Sequence, residues 1–245
     1  EHENFRGSLV FAVTEGLFLS TAPNNSFRPR ENMKYYKDYT PAQQVSFHIN
    51  HLLESKFAFL NKEWLSLGAQ LGKLNISDRP GVYNFHGFPP GFGRVKFNRQ
   101  EYMTDKFVAD TIEQNKVKSI WDGFRRASKD PPASGAKLDS IIKEIKKAID
   151  KIKSRGGQVL FVRTPSSGAM LMGENKGFPR AKYWERILSV TGCPGLHFAD
   201  YPAIAHFVCP EFSHLSQPDA VLFTKNFIKI LSEEKGWKFP KTVHP

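Results

Sequence analysis

Cysteine is scarce in this sequence, which holds two, Cys193 and Cys209, in 245 residues. So few exclude a framework of several disulfides, and neither has the neighbours of a metal site. The pair is left either as one staple in an oxidising compartment or as two buried thiols. Apolar runs are short: none reaches the length of a membrane-spanning helix, and the given sequence opens on Glu1, without an initiator Met or a signal-peptide pattern within it. Acidic residues are outnumbered, 24 Asp and Glu against 35 Lys and Arg, for a formal charge of +11. An excess of that sign marks a solvated basic surface or favours an anionic partner such as a membrane, an acidic polymer or nucleic acid. Nucleic acid is disfavoured, because no glycine-rich phosphate loop, zinc-finger spacing or RNA-binding signature accompanies the charge. Internal repeats and low-complexity tracts are missing too. What is present argues for a folded chain: 40% hydrophobic residues and 21 Phe exclude general disorder, and the length suits one core with a large insertion.

Residues 158–163, Gln-Val-Leu-Phe-Val-Arg, read as a strand buried on both faces. Before them, Leu138, Ile141, Ile142, Ile145, Ala148, Ile149 and Ile152 recur at helical spacing over 138–154, with lysines opposite. The alternation repeats as a helix over 179–190, a short strand over 195–199 and a closing helix over 217–231. Residues 8–13 supply the first strand, apolar enough to be central. Such alternation predicts an α/β fold with a mostly parallel sheet flanked by helices. The chain reads as one domain, residues 1–245, with an insertion at about 24–130. Within it, 24–39 is a basic and aromatic excursion. From Thr40-Pro41 to about residue 71 the pattern is helical, with Val45, Ile49, Leu52, Leu53, Phe57 and Leu60 as a stripe. Residues 75–98 hold too much Gly and Pro for a helix, and form either a lid or a packed Ω-loop with Asn84, His86 and Arg94 as its polar groups. Residues 101–128 should be helical, burying Phe107, Ile112, Val117, Ile120, Trp121 and Phe124. His48 and His51 share a helix face but lack further ligands, so neither a metal nor a cofactor is expected.

In open parallel sheets the working surface lies beyond the C-terminal strand ends. That places Arg163, Thr164, Ser166 and Ser167 on one rim with Asp200, Glu211, Ser213 and His214. Glu211, three residues before His214, could orient the imidazole as a general base. The same spacing fits a histidine that only helps cap the last helix, where Ser216 and Pro218 already have the form of cap and first-turn residues. The 166–168 turn could offer N–H groups to an oxyanion. Gly-x-Ser-x-Gly spacing is absent, and Ser8 precedes its strand, so no nucleophile is identified. Glu15, after the first strand, either faces the site or caps the following segment.

Phe198-Ala-Asp-Tyr201, Glu211-Phe-Ser-His-Leu-Ser216, Ala220 and Phe223-Thr224 together resemble the last block of the SGNH (GDSL-type) hydrolase superfamily. The likeness is greatest to its extracytoplasmic, membrane-associated branch, with the D-alanyl transfer protein DltD and polysaccharide O-acetyltransferases. Residues 159–163 with Thr164-Pro165 are similar to the strand before that block. The resemblance implies a three-layer, flavodoxin-like α/β domain and an extracytoplasmic location. It also implies a polysaccharide or acylated glycan of the cell envelope as substrate. His214 would be the base of a Ser-His-acid mechanism, Glu211 would stand where the family has Asp, and Arg163, Ser166, Asn84 and His86 would line the substrate wall. The family's Gly-Asp-Ser block is not found, so the serine is expected upstream of residue 1, in a truncated or processed chain. An esterase or O-acyltransferase is the first expectation. The rival is an inactive binding or accessory domain for an anionic glycan or membrane surface, and a nucleic-acid binder comes last.

Overall fold

The computed structural model describes residues 5–20, 23–60, 67–71, 87–95, 100–128 and 131–239. The chain divides into two compact units, residues 1–22 with 103–245, and residues 23–102.

The first unit begins with β1 (Ser8–Ala12) and a short α1 (Glu15–Phe18). The second unit holds α2 (Pro23–Lys37), α3 (Pro41–Lys56), a 3-10 turn over Ala58–Leu60 and α4 (Leu67–Leu71). It ends in a small antiparallel ribbon of β2 (Arg94–Val95) and β3 (Glu101–Tyr102). Thr40 starts α3 with a capping box: its hydroxyl accepts from Gln43 N (3.3 Å) while Gln43 Oε1 accepts from Thr40 N (2.8 Å). The stripe predicted there exists but faces outward within this unit, since Val45, Ile49 and Leu52 are all more than half exposed. The excursion expected at 24–39 is a helix for most of its length. Asn84 and His86 lie outside the described residues.

The first unit resumes with α5 (Asp105–Ala109), α6 (Thr111–Ala127) and α7 (Gly135–Lys153). There follow β4 (Gln158–Arg163), α8 (Gly168–Gly177), α9 (Trp184–Thr191), β5 (Gly195–His197) and a 3-10 turn over Phe198–Asp200. A short α10 (Pro202–Ala205) and α11 (Gln217–Glu233) close it. The helix expected over 101–128 is instead β3 and two helices, because Thr104 and Asp110 each begin a new one. The Thr104 hydroxyl accepts from Phe107 N (3.2 Å), and the Asp110 carboxylate from Ile112 N (2.9 Å) and Glu113 N (3.2 Å). Phe107 and Val117 are buried as expected, whereas Ile112 and Phe124 are exposed.

The fold is mixed α/β, with a three-stranded parallel sheet in the order β1-β4-β5. Among the described strands β4 is the central one, and β1, expected to be central, lies at an edge with most of its residues exposed. Successive β4 side chains serve opposite faces. Val159 and Phe161 join Leu138, Ile142 and Ile149 of α7 and Trp184 and Ile187 of α9. Leu160 and Val162 join Leu196, Ile204 of α10 and Ile230 and Leu231 of α11. Each fully buried Leu, Ile or Phe contributes about 1.5–3 kcal/mol, which makes β4 the strand the unit is built around. Gly195 lets β5 pass under α9, since a Cβ there would meet Leu188 Cδ1 at 2.5 Å and Trp184 Cζ2 at 2.9 Å. Among the described residues no helix is long and apolar enough to cross a membrane.

Candidate functional site

The loops that follow β4 and β5 are joined to one another. Ser167 N donates to Phe212 O (2.9 Å), and Cys209 N donates to the Ser167 hydroxyl (2.9 Å). The turn between them is tight, with Phe212 N bonded to Cys209 O (3.0 Å) and Phe212 in the left-handed region at φ 83°. A bulky residue adopts that conformation only under constraint from its surroundings. Here the Phe212 ring lies against Gly168, where a Cβ would stand 2.4 Å from Cε1, and Lys118 Nζ sits 4.7 Å from the ring centroid. The turn sends Glu211 inward and folds Ser213 and His214 back over it.

Glu211 is fully buried. Its Oε2 accepts from Trp121 Nε1 of α6 (2.5 Å) and from the Ser213 hydroxyl (2.7 Å). Its Oε1 accepts from Ser213 N (3.1 Å), His214 N (2.5 Å) and His214 Nδ1 (3.0 Å). Burial is the largest single influence on this carboxyl and opposes ionisation. The hydrogen bonds from His214, Trp121 and Ser213 together outweigh it and hold the group below the usual carboxylate range. The His214 side chain is 58% exposed beside a partner at 0%. Trp121 lies at 30° to the imidazole with the ring centroids 6.3 Å apart.

This geometry settles the tautomer by hydrogen-bond logic. An ionised carboxylate only accepts, so Nδ1 carries the proton and Nε2 is the basic nitrogen. Ser213 Oγ is 2.8 Å from the same Nδ1. With its own hydrogen on Glu211, that hydroxyl can only accept there, on the carboxylate side of the ring. Ser213 is thus a buttress and not a group that Nε2 could activate. Capping of α11 falls to Ser216, whose hydroxyl accepts from Asp219 N (3.3 Å) and donates to Asp219 Oδ2 (2.7 Å), leaving His214 to Glu211.

Arg163 and Ser166, expected along the substrate wall, are both buried. The Arg163 guanidinium donates to Glu15 Oε2 (3.0 Å), Glu174 Oε2 (2.5 Å) and Thr164 O (2.7 Å). Ser166 Oγ donates to Glu174 Oε2 (2.5 Å). The Glu15 carboxylate turns inward onto Arg163 and also accepts from its own backbone N–H at the start of α1, so it meets the expected capping role from a buried position and does not line the rim. Its pKa is raised, burial outweighing the attraction of the guanidinium. Asp200 is held by Arg180 through both oxygens (2.6 and 2.7 Å), a pairing that lowers its pKa against a lesser cost of burial. At the end of β5, His197 packs against Trp184 and Phe198. Burial, aided by the nearby Arg180 charge, pushes it down to about 4, so this imidazole stays neutral at pH 7.

The two cysteines are buried free thiols. Cys209 is pushed up to about 11 by burial, against the opposing hydrogen bond with Ser167, and is unreactive at neutral pH. Among the described residues no cluster of three or more His, Cys, Asp and Glu could hold a metal ion. The residue with no local signal in the sequence was Trp121, which meets Glu211 across 90 positions and had the spacing of an ordinary core residue. The chain matches no family model, no curated protein and no solved structure.

Proposed function

We propose that the chain carries the base and acid of an SGNH-like esterase or O-acyltransferase. Its α/β unit would belong to a three-layer, flavodoxin-like domain outside the cytoplasm, acting on a polysaccharide or acylated glycan of the cell envelope. The observation that carries this reading is the Glu211–His214 pair, a buried carboxylate bonded at 3.0 Å to Nδ1 of an exposed imidazole. His214 Nε2 would take the proton from a serine hydroxyl as it attacks the acyl carbon, and Glu211 would stabilise the imidazolium. The acyl group would then pass to water or to a glycan hydroxyl. The serine is assigned to no residue of this chain, and the chemistry needs no metal or cofactor. The chain alone should therefore hydrolyse p-nitrophenyl acetate no faster than free imidazole at equal concentration, with the residual rate falling in His214→Ala. Faster turnover that persists unchanged in His214→Ala removes the base assignment.

The burial of Arg163 and Ser166 favours a second reading, an inactive binding or accessory domain for an anionic glycan or membrane surface. It rests on the +11 charge rather than on the imidazole. Binding to an acidic polysaccharide or to anionic vesicles should then weaken steeply as salt is added. Absence of binding at low ionic strength removes this reading.

A further inference from the structure

Ser167 stands at the N-cap of α8, where a serine hydroxyl ordinarily accepts from an N–H in the first turn of its own helix. Among the described residues it makes no such bond. The hydroxyl turns instead to the loop after β5 and accepts from Cys209 N at 2.9 Å, while Ser167 N donates to Phe212 O at 2.9 Å. One residue thus holds both ends of the turn over 209–212. Two neighbours favour the same seat: Gly168 leaves the space that the Phe212 ring fills, and Cys209 Sγ donates to Pro165 O at 3.6 Å.

What the turn carries shows what the seat is for. Glu211 accepts five hydrogen bonds, and four of them come from Ser213 and His214, no more than three positions away. Those four move with the turn and would survive its displacement. The fifth comes from Trp121 Nε1 of α6, so it forms only where the turn sits in register with the rest of the unit. The carboxylate depends on that donor, because a buried anion is costly wherever a bond to it is missing.

We propose that Ser167 is a positioning residue for the imidazole. Its hydroxyl, withheld from capping α8, seats the 209–212 turn so that Glu211 reaches Trp121, and through Glu211 it fixes where His214 Nε2 points. The consequence for acyl transfer rests on the reading of His214 as a base, whereas the seating of the turn is tested without it.

Nuclear magnetic resonance and hydrogen exchange on the intact chain test this with Ser167→Ala and Ser167→Thr. Because the hydroxyl caps nothing in α8, Ser167→Ala should leave exchange of the α8 amides unchanged. It should speed exchange of Cys209 N–H and of the Trp121 indole N–H by about tenfold. The indole resonance, identified by its absence from Trp121→Phe, should move upfield as its bond to the carboxylate weakens. The Overhauser contact between the Trp121 and His214 rings, whose centroids are 6.3 Å apart, should weaken with it. Ser167→Thr keeps the hydroxyl and should restore all of these. Ser167→Cys, a weaker acceptor of similar size, should show the same changes in smaller measure and carries the test if Ser167→Ala does not fold. A folded Ser167→Ala or Ser167→Cys with the indole resonance and the ring contact undisturbed overturns the proposal. So does loss of α8 protection equal to that of the turn, which would make the hydroxyl a helix cap. None of these readouts uses an ester, so failure here leaves the base assignment to its own test with p-nitrophenyl acetate, and failure there leaves the seating of the turn intact.

Discussion

Two glutamates in the same unit are buried almost equally, and they differ in everything that matters for chemistry. Glu15 meets a guanidinium that is itself buried, and Glu174 and Ser166 complete a cluster tying the end of β1 to the end of β4 and to α8. Glu211 meets an indole, a hydroxyl, two backbone N–H groups and an imidazole, and that imidazole is mostly exposed. In the first cluster Nε, Nη1 and Nη2 of Arg163 all donate to buried or part-buried acceptors inside. In the second the buried anion fixes a group that reaches solvent. A carboxylate is made useful less by its own burial than by what its partner presents to the outside, and by that measure the Arg163 cluster is a clamp and the Glu211 cluster the candidate site.

The contrast breaks most visibly at Arg163. Replacing it with Met keeps the stem and strands the carboxylates of Glu15 and Glu174, one buried and one nearly so. The expected loss is about 3–5 kcal/mol of unfolding free energy in urea titrations, and a loss below about 1 kcal/mol would mean that the cluster is not a clamp. Glu211→Ala comes next. It leaves the Trp121 and Ser213 donors and the turn N–H groups without their acceptor, at about 2–3 kcal/mol by the same measurement. A cost within about 0.5 kcal/mol, the range of ordinary surface changes, would show that the inward carboxylate does not hold the turn.

Varying pH sharpens the comparison because the two carboxyls are displaced in opposite directions. Glu211 lies below its ordinary value, so its contribution is present above that value and is lost as pH falls through the lowered one. The deficit of Glu211→Ala should therefore shrink on acidification through the carboxylate range. Glu15 lies above its ordinary value, so its contribution is present below that value and is lost as pH rises through the raised one. Relative to wild type, Glu15→Gln should gain stability as pH rises through that window. Slopes of the same sign for the two variants, measured by thermal denaturation across the acidic range, would remove the distinction drawn between the clusters.

Several of these elements are legible without coordinates, and the reasons are physical. The strand β4 announces itself by an apolar run between Gly156-Gly157 and Thr164-Pro165, and α7 by the spacing of Leu138, Ile142 and Ile149, all three of which are buried. The Glu211–His214 contact is short-range, so a tight turn suffices to form it. By contrast, α8 escapes notice because none of its residues is buried, leaving no periodic signal. The fate of Arg163 depends on two carboxylates at sequence positions 15 and 174, and Trp121 reaches Glu211 across 90 positions. Composition cannot encode such distances. The apolar character of β1 was readable, but whether a strand has one neighbour or two is decided by the rest of the sheet.

The smallest expected effect is the most discriminating. His214 is mostly exposed and gives Glu211 one of its five hydrogen bonds, so His214→Ala should lower unfolding free energy by about 1 kcal/mol. The backbone N–H groups of residues 213 and 214 still hold Glu211 after that change, and Trp121 still donates to it. A loss of that size is the single hydrogen bond from Nδ1, with the turn still folded around the carboxylate. If His214→Ala costs as much as Glu211→Ala, the imidazole is part of the scaffold. If it costs clearly less while the Glu211 deficit stands, the carboxylate and its turn hold together without the ring they orient.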